Sequence, residues 1–278
     1  MHPPSGVRSR LGLQILFDFN DILDGVEFAR EHGFGVLEIN LGNINFSRQL
    51  ASRRQRERIR AAARKARVKL AAHAVEGPSF FIPSRRAVKA AVADLKKTMD
   101  QAAEAGISRV VMHLGFEMYY GHDGSSKFLH EAFPEWFERS VTGALDELKR
   151  YARGRTRLCI ENVGGFRFGF VHRILDRLLG QNLGLCFDVG HVNTLSSAKR
   201  RKELAFFRRH KRHIHHSHLH DNLGTKDEHL AIGKGNIDFL PMFRLLADTP
   251  ALLVFEVRPK EAAVECLGYF DRRIGPKL

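Results

Sequence analysis

Cysteine is scarce in this chain: Cys159, Cys186 and Cys266 are the three in 278 residues. They stand in no metal-type spacing, which excludes a disulfide framework and a thiolate zinc module and leads us to expect reduced thiols in a cytoplasmic setting. Long apolar runs are missing as well. No stretch reaches the ~18 residues of a membrane-spanning helix, and MHPPSGVRSR has no apolar core of the signal-peptide kind. No membrane partner is expected. The glycine-rich fingerprint of a dinucleotide-binding sheet does not follow the first apolar run, which argues against an open doubly wound sheet. Acidic residues are outnumbered, 31 against 45 basic, for a formal charge of +14. Such a balance raises nucleic acid as a partner. The excess, however, is concentrated in two segments, Arg48–Lys69 and Lys199–Arg212. We read these as the second and sixth helices on opposite sides of a barrel, solvated or anion-attracting, and unable to form one groove over one site.

What the chain does have is alternation. Short apolar runs alternate with longer helical segments about eight times, with no obvious linker. We expect strands at Leu11–Phe17, Val36–Leu41, Val68–Ala74, Arg109–Leu114, Arg157–Asn162, Leu183–Asp188, Ile214–His220 and Leu252–Val257. Asn20 or Asp21 should cap the first helix and Ser84 the third. Eight β/α units in this length match a single (β/α)8 TIM barrel spanning residues 1–278, with residues 1–10 a flexible tail.

The histidines sharpen the picture. In HIHHSHLHDNLGTKDEHLAIGKGNID, Ile214, His216, His218 and His220 share one strand parity and should face one side. Other strand ends carry matching chemistry. The third ends in His73, the fourth in His113 and the fifth in Glu161; the sixth ends in Asp188 with His191 three residues on. The seventh carries His218, its following loop Asp227 and His229, and the eighth ends in Glu256. In a barrel, C-terminal strand ends converge on one pocket. Imidazoles mixed with carboxylates select zinc, manganese, iron or cobalt over magnesium or calcium. Parity places Val36, Glu38 and Asn40 on one face, and Leu252, Val254 and Glu256 likewise, while Leu253, Phe255 and Val257 pack against helices. Cys159 and Cys186, each two residues before a candidate ligand, should face the barrel interior. Seven aromatics (Phe80, Phe81, Tyr119, Tyr120, Phe166, Phe168 and Phe170) could stack on a sugar or a base, or close the barrel top.

The stretches LEIN, AAHA, VMHLG, CIENVGG, FDVGHVN, HSHLHDN, KDEHLAIGKGNIDF and FEV resemble the xylose isomerase-like TIM barrel superfamily, which includes endonuclease IV and many sugar isomerases and epimerases. The resemblance covers strands two to eight. It implies a metal set of His73, His113, Glu161, Asp188, His191, His218, Asp227, His229 and Glu256, holding one to three divalent ions, zinc or manganese. The one-metal epimerases imply a subset like Glu161, Asp188, His218 and Glu256. Two chemistries follow. In a sugar or sugar-phosphate isomerase or epimerase, Glu161 and Glu256 move the proton next to a metal-polarised carbonyl and His191 holds a substrate oxygen. Glu38 and Arg258 would contact substrate, Arg258 through a phosphate or carboxylate. In an endonuclease IV-like phosphodiesterase all nine residues serve a polynuclear zinc site and nucleic acid is the partner. Glu38 and Glu76 set negative charge where a DNA backbone would approach, so the isomerase is the first expectation. Oligomeric state leaves no mark on the sequence.

Overall fold

Strand residues in this chain are buried on both faces, as in a parallel sheet covered by helices, and here the sheet closes into a barrel. In the computed structural model, which describes residues 5–278, eight parallel strands close in the order β1-β8-β7-β6-β5-β4-β3-β2. In chain order these are β1 Leu11–Ile15, β2 Val36–Asn40, β3 Lys69–His73, β4 Ile107–Met112, β5 Arg157–Glu161, β6 Leu183–Asp188, β7 Ile214–Leu219 and β8 Leu252–Phe255. Leu37, Ile39, Leu253, Phe255 and Val257 join the core between strands and helices. Their neighbours turn inward. Val36, Ala71, Leu252 and Val254 fill one part of the barrel interior, and Val111, Cys159 and Cys186 another. Both strand cysteines therefore face inward as expected, and burial pushes the Cys159 thiol up to about 12.

Two local expectations are corrected. Ile214 does not share the inward face of His216 and His218. A register shift pairs Leu185 with Ile214 but Cys186 with His216, so one extra residue intervenes and Ile214 joins the outer core. The segment expected to be a loose tail is packed where it is described; residues 1–4 lie outside the described residues. Ser5–Arg8 form a helical turn with Val7 buried, and Arg10 donates to the carbonyls of Thr249 (2.7 Å) and Ala251 (2.9 Å).

The helix caps follow their sequence signals. Asp21 accepts from Leu23 N and Ser84 from Ala87 N. The first basic segment splits at Ser52 into Ile44–Ala51 and Arg53–Ala66, and the second forms the helix Ser197–Arg209. They follow β2 and β6, four strands apart around the ring, hence on opposite sides. One arginine is not solvated. Arg56 is buried, donating to Leu50 O (2.6 Å) and to Glu104 (2.9 Å). Arg56→Glu should therefore cost about 2–4 kcal/mol, whereas Arg53→Glu and Arg54→Glu should each stay within about 0.5 kcal/mol. Chemical denaturation decides this, and equal midpoints for the three variants would refute it.

Candidate metal centre

Five of the expected donors sit where a strand hands over to its loop. His73 ends β3, Glu161 ends β5 and Asp188 ends β6; His113 and Glu256 lie just past β4 and β8. Asp188 also caps the next helical turn, its carboxylate accepting from His191 N, which brings His191 back over the barrel. All nine expected residues lie in one connected cluster.

Glu161 is its hub. Its Oε2 lies 3.2 Å from His73 Nε2, 3.1 Å from His113 Nε2 and 3.4 Å from His218 Nδ1, and its Oε1 lies 3.3 Å from His191 Nδ1. His218 Nδ1 also meets Glu256 Oε2 at 3.1 Å and Asp188 Oδ2 at 3.7 Å. Asp227 Oδ2 is 3.1 Å from both His191 Nε2 and His229 Nε2. Donor atoms of Glu161, Asp188, His218 and Glu256 lie within 4.8 Å of one another, as do those of His73, Glu76 and His113.

These residues fit a divalent metal, and the observation that shows it is how the far side of three of the imidazoles is tied. His73 Nδ1 donates to Ala74 O (2.9 Å), His229 Nδ1 to Glu256 O (2.8 Å), and His218 Nε2 to Glu38 (3.0 Å). With one nitrogen spent on a fixed acceptor, the other is turned into the cluster, the arrangement that orients metal-binding histidines. His191 Nδ1 is buried with no hydrogen-bond partner and faces two carboxylates.

The electrostatics agree. Burial opposes charge on all these groups, yet their neighbours prevail. Glu161 lifts His73 to about 9, Asp188 and Asp227 lift His191 to about 10, and Asp227 lifts His229 to about 9. Against the same burial, His218 and His113 hold Glu161 well below the usual carboxylate range, and His191 and His220 bring Asp188 to about 2. In the metal-free chain the histidine protons thus occupy the gaps a cation would fill. Metal binding must expel them, so apparent affinity should rise with pH until about 9 to 10 and flatten above. Calorimetric titration at pH 7 in buffers of different ionisation enthalpy should show net proton release; zero release would contradict the assignment. For the metal-free chain the sign reverses. These raised values contribute stability that is complete below the ordinary imidazole pKa of about 6.5 and lost as pH climbs through about 9 to 10.

Two residues expected to contact substrate also have partners within the protein. Glu38 is fully buried beneath His218, and its Oε1 receives His218 Nε2 and Gln14 Nε2 (2.7 Å). His216 Nε2 lies close to its other oxygen without a hydrogen-bonding angle. Glu38 therefore aims His218 and does not reach the pocket opening. Arg258 stays beside the site, donating to Gln14 Oε1 and lying 3.9 Å from Glu256.

Other residues were not anticipated as part of the site. His220, fully buried, places Nε2 3.1 Å from Asp188 and 3.6 Å from Asp227; its strand parity was the available signal. Gln14, the polar residue of an apolar first strand, bridges Glu38, Glu256 and Arg258. Glu203, from the second basic helix, accepts from Asn162 Nδ2 (2.8 Å), while Asn162 brackets the Asp188 backbone through both its N–H and its carbonyl. Nothing in the pattern of that arginine-rich helix singles Glu203 out. Of the expected stacking aromatics, Phe80, Phe81 and Phe166 are core residues, while Tyr119 and Tyr120 are exposed.

A family model described as a xylose isomerase-like TIM barrel matches residues 26–272. The chain belongs to that family. An uncharacterized protein of Methanocaldococcus jannaschii is 28% identical over 176 residues, 59% of this chain and 55% of its own length. The chain spans about half the length of the curated relatives it matches. Among solved structures, a D-tagatose 3-epimerase-like protein superposes with a TM-score of 0.75 at 22% identity, over 94% of this chain and 95% of that one. A 3-keto-D-glucoside 4-epimerase from E. coli gives 0.71 at 16% identity, over 94% and 98%. At these identities the likeness establishes the shared barrel. Family membership accounts for the fold.

Proposed function

We propose that this family member is a divalent-metal-dependent isomerase or epimerase of a sugar or sugar phosphate, using zinc or manganese. One observation carries the reading. Glu161 and Glu256 approach the same nitrogen, His218 Nδ1, at 3.4 and 3.1 Å, from strands β5 and β8 that stand three apart in the ring. Two carboxylates thus flank one point, with Asp188 and His218 completing a four-residue donor set. An ion held there supplies Lewis-acid polarisation of a carbonyl oxygen. Glu256 would take the proton from the neighbouring carbon and pass it to solvent, and Glu161, protonated from solvent, would deliver one from the other side. His191 holds a substrate oxygen, and Arg258 offers its guanidinium to a phosphate or carboxylate beside Glu256. The epimerases among the structural neighbours support sugar as the substrate class. The buried, free cysteines support a reducing, cytoplasmic setting.

The test is carbon–hydrogen exchange. Metal-loaded protein incubated with ketoses in deuterated water should place deuterium at the carbon next to the carbonyl, and chelation should stop it. A chain that labels no ketose refutes the reading. A second reading is favoured by the two outlying groups, His73–His113–Glu161 and His191–Asp227–His229. With ions in all three places, the site suits phosphodiester hydrolysis, with nucleic acid as partner. Cleavage of an abasic-site duplex that is lost in His73→Ala and His113→Ala, without deuterium uptake by any ketose, would establish it.

A further inference from the structure

The large apolar side chains that remain exposed among the described residues are confined to one face of the barrel. Phe17 follows β1, Ile44 follows β2, Val75 follows β3, and Phe116, Tyr119 and Tyr120 follow β4. Met118 and Phe133 belong to the same segment after β4, Phe133 between the helical turn Leu129–Ala132 and the helix Pro134–Ala152, and Leu223 follows β7. β1 to β4 are consecutive around the ring, so these side chains form a crescent on one half of the pocket mouth. Phe17 is 79% exposed and Phe116 68%. Folding draws no benefit from apolar surface left in water, and a concentration of it on one face marks a place where something binds.

The crescent is built to hold its shape. After β4 the chain forms a hairpin, Tyr119–His122 against Ser125–Phe128, turning at Asp123–Gly124 with both residues at positive φ. Tyr119 meets Phe128 across it at 5.7 Å between centroids; Phe128 meets Phe168 at 5.6 Å, and Phe168 meets the fully buried Phe81 at 5.7 Å. A chain of ring contacts therefore fastens the hairpin to the core, and its outer rings are presented with little rotamer freedom left to lose.

Position decides the occupant. Val75 lies two residues past His73 and Phe116 three past His113, and the Phe17 ring is 5.9 Å from the Arg258 guanidinium beside Glu256. A protein or a membrane resting here would cover the pocket a small polar substrate must enter. What covers the crescent is therefore what occupies the pocket. We propose that the substrate is a sugar bearing an aryl or alkyl group, with the polar ring among the donors and the apolar group lying on the Phe17–Tyr120 crescent. This inference rests on the reading of the pocket as a sugar site.

The experiment compares methyl and 4-nitrophenyl β-D-glucopyranoside, titrated separately into the metal-loaded full chain, with 4-nitrophenol as a control. The aryl glycoside should bind roughly tenfold or more tightly than the methyl glycoside, the factor expected from burying one ring face. Phe116→Ser combined with Tyr119→Ser should bring that ratio towards one at unchanged metal content and melting temperature. A ratio near one in the parent chain overturns the proposal, as does a ratio the double variant leaves untouched. So does sedimentation showing a parent dimer that the double variant splits, since the crescent would then be a subunit interface. Binding is read here without any carbon–hydrogen exchange. A chain that prefers the aryl glycoside but labels no ketose keeps this inference and loses the isomerase reading; one that labels ketoses without the preference does the reverse.

Discussion

Glu256→Gln should lower deuterium transfer into a ketose by a factor of ~10² to 10⁴, the range typical of losing a general base. The substitution keeps the side chain's size and one oxygen. Gln14 Nε2, 3.1 Å from Glu256 Oε1, still finds an acceptor there, so the local hydrogen bonding survives. What disappears is the basic oxygen facing His218 Nδ1 at 3.1 Å. Metal affinity should weaken, because one anionic donor of the set becomes neutral, so the assay is run at saturating metal with bound ion quantified. Glu256→Asp keeps the charge but withdraws it by one methylene, and should recover part of the exchange. Exchange within twofold of the parent, at equal metal content, would remove Glu256 from the proton path.

The second large effect lies outside the donor set. Asp221 is fully buried, and its two oxygens accept four backbone N–H groups: Asn222 (2.9 Å), Ile237 (3.1 Å), Gly233 (2.9 Å) and Gly235 (2.9 Å). It closes the loop that carries Asp227 and His229. Asp221→Ala orphans all four donors, and each buried unmet donor costs about 1–3 kcal/mol unless water reaches it. With partial relaxation we expect a loss of about 3 kcal/mol, or roughly 6–12 °C in melting temperature for a chain of this size. His229 sits at a φ of 50, which a non-glycine residue adopts only when its surroundings enforce it. Releasing the loop should therefore also abolish ion binding at the His191–Asp227–His229 group while Glu161, Asp188, His218 and Glu256 still bind. Asp221→Asn, which keeps one carbonyl oxygen, should fall between. An unchanged melting temperature in Asp221→Ala would refute the argument.

The barrel was legible because most strands announce themselves twice, by an apolar run and by a polar residue at its end. LLVFEV shows both, and its alternation correctly separates inward Leu252 and Val254 from outward Leu253 and Phe255. Strand-end chemistry likewise pointed to nine residues that the structure brings into one cluster, since a parallel barrel leaves them one place to converge. Three kinds of feature escaped. The register shift at Ile214 depends on how β7 meets β6, and no pattern within one strand encodes it. Glu38 has the expected inward face, and its hydrogen bonds to His218 and Gln14 were not foreseen. Whether an inward carboxylate reaches substrate or supports a histidine is set by its depth along the barrel axis, and periodicity does not report depth. Glu203 contacts Asn162 across 41 residues from an outward-looking helix, a pairing only tertiary structure creates. The hairpin after β4 is a different case. Its Asp123–Gly124 turn is present in the sequence, but the flanking YYGH and SSKF carry no apolar run of the kind that marks a barrel strand.

His73, His113, Glu161, Asp188, His218 and Glu256 come from six consecutive staves of the barrel, β3 to β8, and each donor is rooted in a different one. An ion bound among them is in effect a cross-link tying distant parts of the chain through their side chains. Such a tie resists opening wherever the ring first parts, because separating neighbouring strands pulls a donor from the cation. An ion there would therefore act on lifetime as well as on equilibrium. It should slow unfolding more than it speeds refolding, since the donors come together only after the ring has closed. In a cell, the supply of metal would then set how long each copy of this barrel survives.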